Sequence, residues 1–142
     1  MNDVTIDAVD LDILQLLIED ANRSHKEIGQ SVHLTGQAVG ARVRKLQDIG
    51  VIEGYTVRWN PEKLGQAVQA LVTVFLTSHT AHQRFRAFVD SSDEIVEAHR
   101  VSGEGCYWMR IRVGSPSALS AFLEQLLEFA NYKVSLTIDQ VK

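Results

Sequence analysis

Residues 24–50, SHKEIGQSVHLTGQAVGARVRKLQDIG, predict two short helices that meet across a tight turn. Ser24 and Glu27 have the S-x-x-E spacing of a capping box, in which each side chain satisfies a backbone N–H at a helix start. This helix is expected to end just before Thr35, because Thr35 can cap a further helix that runs to Gly50. The apolar side of that helix is formed by Val39, Val43 and Leu46.

A first helix is expected over residues 7–20. Asp7 can act as its N-cap, and Asp10 lies in the first turn, where a carboxylate interacts favourably with the helix dipole. The apolar residues at helical spacing are Leu11, Leu14, Leu17 and Ile18. Three short helices with a tight turn between the second and the third predict a helix-turn-helix domain.

The third helix has an exposed side that is polar to basic. At about 100° per residue, Gln37, Ala41, Arg44 and Lys45 gather opposite the apolar side. The chain has a formal net charge of −4, which argues mildly against a nucleic-acid partner. Residues 35–47 nevertheless contain three basic residues and no acidic one. This contrast favours a DNA interface; the alternative is a plain three-helix bundle whose Arg and Lys side chains are solvated.

An α-helix fits the major groove of DNA, where Gln can pair with adenine and Arg with guanine, while other cations hold phosphates. Gln37 is therefore the expected base reader. Small residues around Gly40 would let the helix backbone approach the DNA closely. The residues predicted to contact DNA are Thr35, Gln37, Ala38, Ala41, Arg42, Arg44 and Lys45.

The chain changes character after Gly50. Residues 51–60, VIEGYTVRWN, are rich in β-branched and aromatic residues around Gly54, which predicts a small β-hairpin or wing. Pro61 and Gly65 then interrupt the chain. We predict a winged helix-turn-helix domain over residues 1–60, a linker over 61–66 and a second domain over 67–142.

The second domain is expected to follow the order strand, helix, strand, strand, helix, strand. This is the order of a ferredoxin-like βαββαβ fold, in which two helices cover one face of the sheet. The strands are expected at residues 68–77, 95–102, 107–113 and 134–141. The buried side of the second helix is expected to hold Leu119, Phe122, Leu123, Leu126 and Leu127. The fold class is thus α+β, and the open sheet face is expected to find a partner.

Composition narrows the class of protein further. Hydrophobic residues make up 45% and charged residues 23% of the 142 residues, which is ordinary for a globular protein. Cys106 is the single cysteine, so no internal disulfide can form. The sequence has neither a basic leader nor an apolar run of ~20 residues, and we expect a cytoplasmic protein with no membrane partner. No cofactor and no metal site is expected.

An ordered series of motifs resembles the Lrp/AsnC family, the leucine-responsive or feast/famine regulators. The resemblance covers nearly the whole chain, and it implies a winged helix-turn-helix followed by an ACT-like amino-acid-sensing domain. It also implies that open sheets pair in a homodimer, and that dimers assemble into tetramers or octamers. The motifs are D-x-x-D-x-x-I-L from Asp7, the turn at Leu34–Thr35, R-V-R-K-L from Arg42, G-V-I-E-G-Y from Gly50, P-E-K-L-G from Pro61 and H-R-V-S-G from His99.

The resemblance also implies an effector site near a loop whose family pattern is G-x-x-D-Y. The matching stretch here departs from the pattern, because Cys106 stands where the family has an acid. A thiol cannot give an ammonium group the charge-assisted bond that a carboxylate gives. The effector is therefore an amino acid, another small ligand or none. The residues implied at this site are His99, Gly103, Glu104, Gly105, Cys106 and Tyr107.

Several side chains have a second interpretation. Cys106 is either a nucleophile or, more simply, a packed thiol, and His79 and His82 are either a metal pair or solvated loop residues. His99 lines a ligand pocket or is a satisfied core histidine, and Trp59 is expected to wedge the two domains together.

The sequence indicates a sequence-specific DNA-binding transcription regulator that is not an enzyme and binds near-palindromic sites as a dimer or larger oligomer. Two alternatives belong to other classes. One is an enzyme similar to sirohaem decarboxylases, which resemble this architecture and use histidines in the C-terminal half. The other is a sensing module that has lost DNA binding, against which the basic run on the third helix argues.

Overall fold

The computed structural model describes residues 5–142 and divides into two compact units, one ending at Arg58 and the next beginning at Trp59. The first unit contains three helices, α1 (Ala8–Glu19), α2 (His25–Val32) and α3 (Gly36–Asp48). The second unit opens with a short 3-10 helix, Pro61–Leu64, inside the stretch expected as a linker. None of the helices in the described part of the chain is long and apolar enough to cross a membrane.

The second unit alternates strands and helices in the predicted order. Its elements are β1 (Val68–Phe75), α4 (His79–Ser91), β2 (Ile95–Arg100), β3 (Tyr107–Val113), α5 (Pro116–Leu127) and β4 (Asn131–Leu136). All neighbouring strands are antiparallel, in the sheet order β2-β3-β1-β4. This confirms the ferredoxin-like α+β fold.

The helix starts in the first unit are fixed by the predicted caps. The Asp7 carboxylate accepts the backbone N–H of Asp10 at 2.9 Å, and Asp10 returns a bond to the Asp7 N–H. Ser24 and Glu27 form the expected capping box on α2. Thr35 Oγ1 accepts the N–H of the residue three positions on, at 3.1 Å. Each cap satisfies backbone donors that the helix itself leaves unpaired.

The buried side of α1 differs from the expected one. Leu11 and Ile18 are 55% and 68% exposed, whereas Ile13 and Leu17 are buried together with Asp10. Leu11 and Ile18 are seven residues apart and so share a direction, which faces away from α2 and α3. Packing against α2 and α3 decides which side of α1 is buried, and apolar residues at helical spacing do not by themselves identify that side. The other buried residues of this core are Ile28, Val39 and Val43, and Leu46 is also buried in this unit.

The prediction of a hairpin over residues 51–60 was wrong for this structure, because none of these residues is in a strand. The N–H groups of Val51 and Ile52 bond back to the Leu46 carbonyl at 2.9 Å and 3.0 Å and close the end of α3. The segment beyond them carries the expected β-formers, but the described unit offers no strand with which it pairs.

One face of the sheet in the second unit holds its core. Alternate residues of β3 are buried, as predicted, with Tyr107, Met109, Ile111 and Val113 on that side. Side chains from both helices pack on them: Phe85, Leu119, Phe122 and Leu126. The opposite face carries Leu71, Thr73, Trp108, Arg110 and Arg112, all half-buried.

Three boundaries in this unit differ from the sequence prediction. β4 spans Asn131–Leu136 rather than residues 134–141, because its pairing with β1 begins at Phe75 and runs back to Ala70. β1 and β2 are also each two residues shorter than expected.

Leu127 was expected on the buried side of α5, but it is 56% exposed. It lies about 100° beyond the buried Leu126 in the last turn of the helix.

Candidate nucleic-acid interface and sensing loop

The exposed side of α3 presents a compact set of polar groups. Gln37, Ala41 and Arg44 are exposed and lie within about 60° of one another on the helix. Thr35, the N-cap, is exposed at the start of the helix, and Ala38 is half-buried on its flank. This surface combines an amide, a guanidinium and small side chains, which is what close contact with base edges requires.

Two glycines let α2 and α3 approach closely. A Cβ at Gly29 would lie 2.3 Å from the Leu34 carbonyl oxygen, and one at Gly36 would lie 3.2 Å from the backbone nitrogen of Lys26. Between the helices, His33 adopts the left-handed conformation with φ of 58° and closes α2. These contacts fix the tight turn, which depends on Gly29, a residue that the capping and apolar patterns did not identify.

Arg42 and Lys45, two of the residues predicted to contact DNA, are engaged by carboxylates of α1. Arg42 Nη1 donates to Asp7 Oδ1 and Oδ2 at 2.8 Å each and to Asp10 Oδ1 at 2.9 Å. Lys45 Nζ donates to Asp10 Oδ2. The two cations lie on the side of α3 that faces α1. Of the three basic side chains on the helix, Arg44 is the one without an ion pair among the described residues.

Asp10 is the centre of this network, and its side chain is fully buried. Burial raises the pKa of Asp10, but the Asp7 backbone N–H, Lys45 and Arg42 outweigh it and lower the pKa to about 2. The hydrogen bond from Arg42 likewise lowers the pKa of Asp7. Both carboxylates are therefore ionised at neutral pH and attach α3 to the start of α1.

His25 and Lys26 extend the exposed surface beyond α3. Both are exposed in the first turn of α2, and the His25 ring lies 2.9 Å from the position that a Cβ at Gly40 would occupy. Neither residue was predicted to contact DNA. The available signal was their position directly after the Ser24 cap, where backbone N–H groups point outward.

The loop between β2 and β3 has the backbone geometry of a tight, glycine-dependent turn. Gly103 and Gly105 have φ of 118° and 78°. A Cβ at Gly105 would lie 2.5 Å from Thr73 Cγ2, so β1 approaches the loop too closely for a side chain. Cys106 is half-buried, and its N–H donates to the Val74 carbonyl at 2.7 Å. The thiol packs against the core of the unit, as expected of a packed cysteine.

The six residues implied at the effector site do not converge on one point. His99 pairs across the ladder with Trp108 on the open sheet face, and its Nε2 lies 2.6 Å from Glu97 Oε1. The hydrogen bond from His99 is the main cause that lowers the pKa of Glu97. Tyr107 is buried on the helix-covered face. Glu104 forms an ion pair with Lys133.

The other side chains for which the sequence left two interpretations open contact neighbouring residues within the second unit. His82 Nδ1 lies 3.1 Å from the Tyr107 hydroxyl, and burial, followed by the charge of Arg100, lowers the pKa of His82. The His79 and His82 rings are 6.4 Å apart, and no group of three metal-ligating side chains occurs among the described residues. Trp59 packs under the Arg112 guanidinium at 5.2 Å, within the second unit.

A helix-turn-helix with an exposed polar third helix, followed by a ferredoxin-like unit, defines a two-domain DNA-binding regulator. Residues 6–47 match the AsnC-type helix-turn-helix domain, and residues 69–142 match the Lrp/AsnC ligand binding domain. The chain belongs to the Lrp/AsnC family of DNA-binding transcription regulators.

Individual relatives show the same similarity over full length. The HTH-type transcriptional regulator LrpB of Bacillus subtilis is 41% identical over 137 residues, covering 96% of this chain and 91% of that protein. B. subtilis LrpC superposes with a TM-score of 0.91 at 26% identity, over 97% of this chain and 98% of that one. A transcriptional regulator from Neisseria meningitidis in complex with L-Met gives a TM-score of 0.92 at 25% identity, over 97% and 93% of the two chains.

Proposed function

We propose that the exposed side of α3 reads base edges in the major groove, with Gln37 and Arg44 as the specifying side chains. The observation that carries this is their shared exposure beside the small Ala41, on a helix whose opposite side is core. Thr35 and Ala38, at the start of α3, would contact the sugar-phosphate backbone of the DNA and the wall of the major groove. His25 and Lys26 would hold a phosphate from the start of α2.

Arg42 and Lys45 have a different role in this proposal from the one that the sequence suggested. Their charges are satisfied by Asp7 and Asp10, so in the free protein they orient α3 instead of projecting from it. An ion pair must break before such a cation can neutralise a phosphate, and that cost weakens its contribution to DNA binding.

The open sheet face supports assembly into a homodimer. Leu71 and Trp108 leave apolar surface on this face. A second copy of the face would cover this apolar surface. We propose that the homodimer binds a near-palindromic site with one α3 helix in each of two successive major grooves, ~34 Å apart on the DNA. Tetramers or octamers would then form from dimers.

We propose that the β2–β3 loop senses a small ligand, with an amino acid as the first class to test. The N. meningitidis relative was solved in complex with L-Met, and this chain matches the ligand binding domain of the family. Its own loop combines two left-handed glycines with Cys106 and a Glu104 already paired to Lys133. Thermal shift with each of the twenty amino acids tests this, and no shift with any of them would remove the support for amino-acid sensing.

The DNA-binding role is tested by selection of genomic fragments with the purified full chain, with and without amino acids. The expected result is a small set of enriched fragments that share a near-palindromic motif. Recovery of fragments in proportion to their abundance would contradict the proposed function. Haem-type absorption of the purified protein would instead favour the enzyme alternative.

A further inference from the structure

Two cations border the exposed side of α3, and both are held by acids from another helix. Arg42 meets three carboxylate oxygens through one nitrogen, at 2.8 Å, 2.8 Å and 2.9 Å. Lys45 meets the remaining oxygen of Asp10. The network thus contains two positive and two negative groups, and its formal charge is zero.

The two acidic side chains differ in how far they are exposed to solvent. The Asp10 side chain is fully buried, whereas that of Asp7 is 49% exposed. Arg42 and Lys45 are 29% and 28% exposed, so each reaches the surface next to the reading side of α3. Release of either cation would therefore add a positive charge beside a bound duplex.

Free cations beside a DNA-reading helix have a predictable effect. Each phosphate that a Lys or Arg neutralises releases counterions and strengthens binding to DNA of any sequence. Such contacts raise affinity without adding discrimination between sites. A regulator whose flanking cations are paired with its own carboxylates has a lower affinity for DNA of any sequence. A larger share of its binding energy then comes from contacts with the bases.

We propose that Asp7 and Asp10 are specificity-determining residues, which hold Arg42 and Lys45 away from phosphates and thereby suppress binding to non-cognate DNA. The inference rests on the proposed reading of DNA by α3. It assigns the acids at the start of α1 a second role besides capping and packing.

The test is the salt dependence of binding to a random-sequence duplex by the full chain and its Asp7→Asn variant. Asparagine keeps the oxygen that caps α1 but removes one of the two carboxylate charges that hold Arg42, namely the one that makes two of its three contacts. The expected result is tighter non-cognate binding at low salt and a slope of log affinity against log salt that is steeper by up to about 0.9, since Asp10 still contacts Arg42 in this variant. The upper value corresponds to roughly a 3.5-fold greater loss of affinity between 50 and 200 mM salt.

Asp12→Asn is the matched control, because Asp12 is exposed on the same helix and has no ion pair among the described residues. It changes the net charge equally, and we expect its slope to equal that of the unsubstituted chain. The double variant Asp7→Asn with Arg42→Gln is expected to return to that same slope. Thermal midpoints of all variants show whether each remains folded.

Equal slopes for Asp7→Asn and Asp12→Asn would overturn the inference. So would a shallower slope for Arg42→Gln alone, since Arg42 would then already contact phosphate in the unsubstituted chain. The proposed function fails separately: it is contradicted by the absence of a preferred fragment, whereas the slopes are measured on random DNA.

Discussion

Asp10 joins the first helix to the third through a buried carboxylate. It accepts hydrogen bonds from Lys45 and Arg42, which lie 35 and 32 positions further along the chain. At the level of single residues the sequence predicted the caps, because a cap acts within three positions of its own helix. It could not predict that a first-turn aspartate would be buried and paired with two residues assigned to DNA, since that pairing depends on how the helices pack.

Asp10→Asn is expected to destabilise the first unit by about 3 kcal/mol, because it removes the charge of a fully buried carboxylate that pairs with both Arg42 and Lys45. Urea unfolding followed by far-UV circular dichroism measures the change. The exposed Asp12→Asn is the control and is expected to lie within about 0.5 kcal/mol of the unsubstituted chain. Equal midpoints for the two variants would contradict the structural role given to Asp10.

The same carboxylate predicts how stability depends on acid. The pKa of Asp10 is lowered to about 2 in the folded chain, below its ordinary value of 3.8. A lowered pKa contributes stability that is fully present above the unfolded value and is lost as pH falls through the folded value. Unfolding free energy is therefore expected to fall between about pH 4 and pH 2. The slope in that window should be smaller in Asp10→Asn, and an unchanged slope would argue against the assignment.

At the level of elements, the helices were predicted better than the strands. Capping residues and apolar spacing specify α2 and α3 locally, and both elements are confirmed. Strand limits depend on pairing. β4 begins at Asn131, which pairs with Phe75 at the end of β1, and not at Val134 as predicted. Residues 51–60 have the composition of a hairpin, but β-propensity produces a strand only where a partner strand is present.

The helix-turn-helix contact predicts a large effect of one methyl group. Gly29→Ala would place a Cβ 2.3 Å from the Leu34 carbonyl, so the turn must move, at a cost of roughly 1–3 kcal/mol. DNA affinity should fall with it, because α3 is positioned by this turn. Chemical unfolding and fluorescence anisotropy measure the two effects. The control is Gly54→Ala, where a Cβ would meet nothing within 4 Å, and a similar loss in both variants would contradict the argument.

For the whole molecule, the fold presents two surfaces to which we assign separate tasks. The exposed side of α3 belongs to the first unit, and the open sheet face belongs to the second. The sequence predicted both surfaces from periodicity, because alternation in β3 and the apolar stripe of α3 show which side of each element faces away from its core. It could not give the arrangement of the six residues implied at the effector site, which are distributed between the loop and the two sheet faces.

Leu71→Asp is expected to convert the proposed dimer into a monomer, since it places a charge at the centre of the open sheet face. Sedimentation velocity of the full chain measures the result. Leu127→Asp is the matched control: it adds the same charge at an exposed leucine on α5, away from that face. If both variants sediment with the unsubstituted chain, the open face is not the dimer surface.

The central claim is that the exposed side of α3 reads DNA sequence, and base discrimination by Gln37 tests it most directly. The measurement is the affinity of the full chain and of Gln37→Ala for the selected site and for its single-base variants. The unsubstituted chain should prefer the selected base at one position in each half-site by about 1–3 kcal/mol, roughly 5- to 150-fold, and Gln37→Ala should lose that preference there alone. The same preference at every position in both proteins would contradict the account.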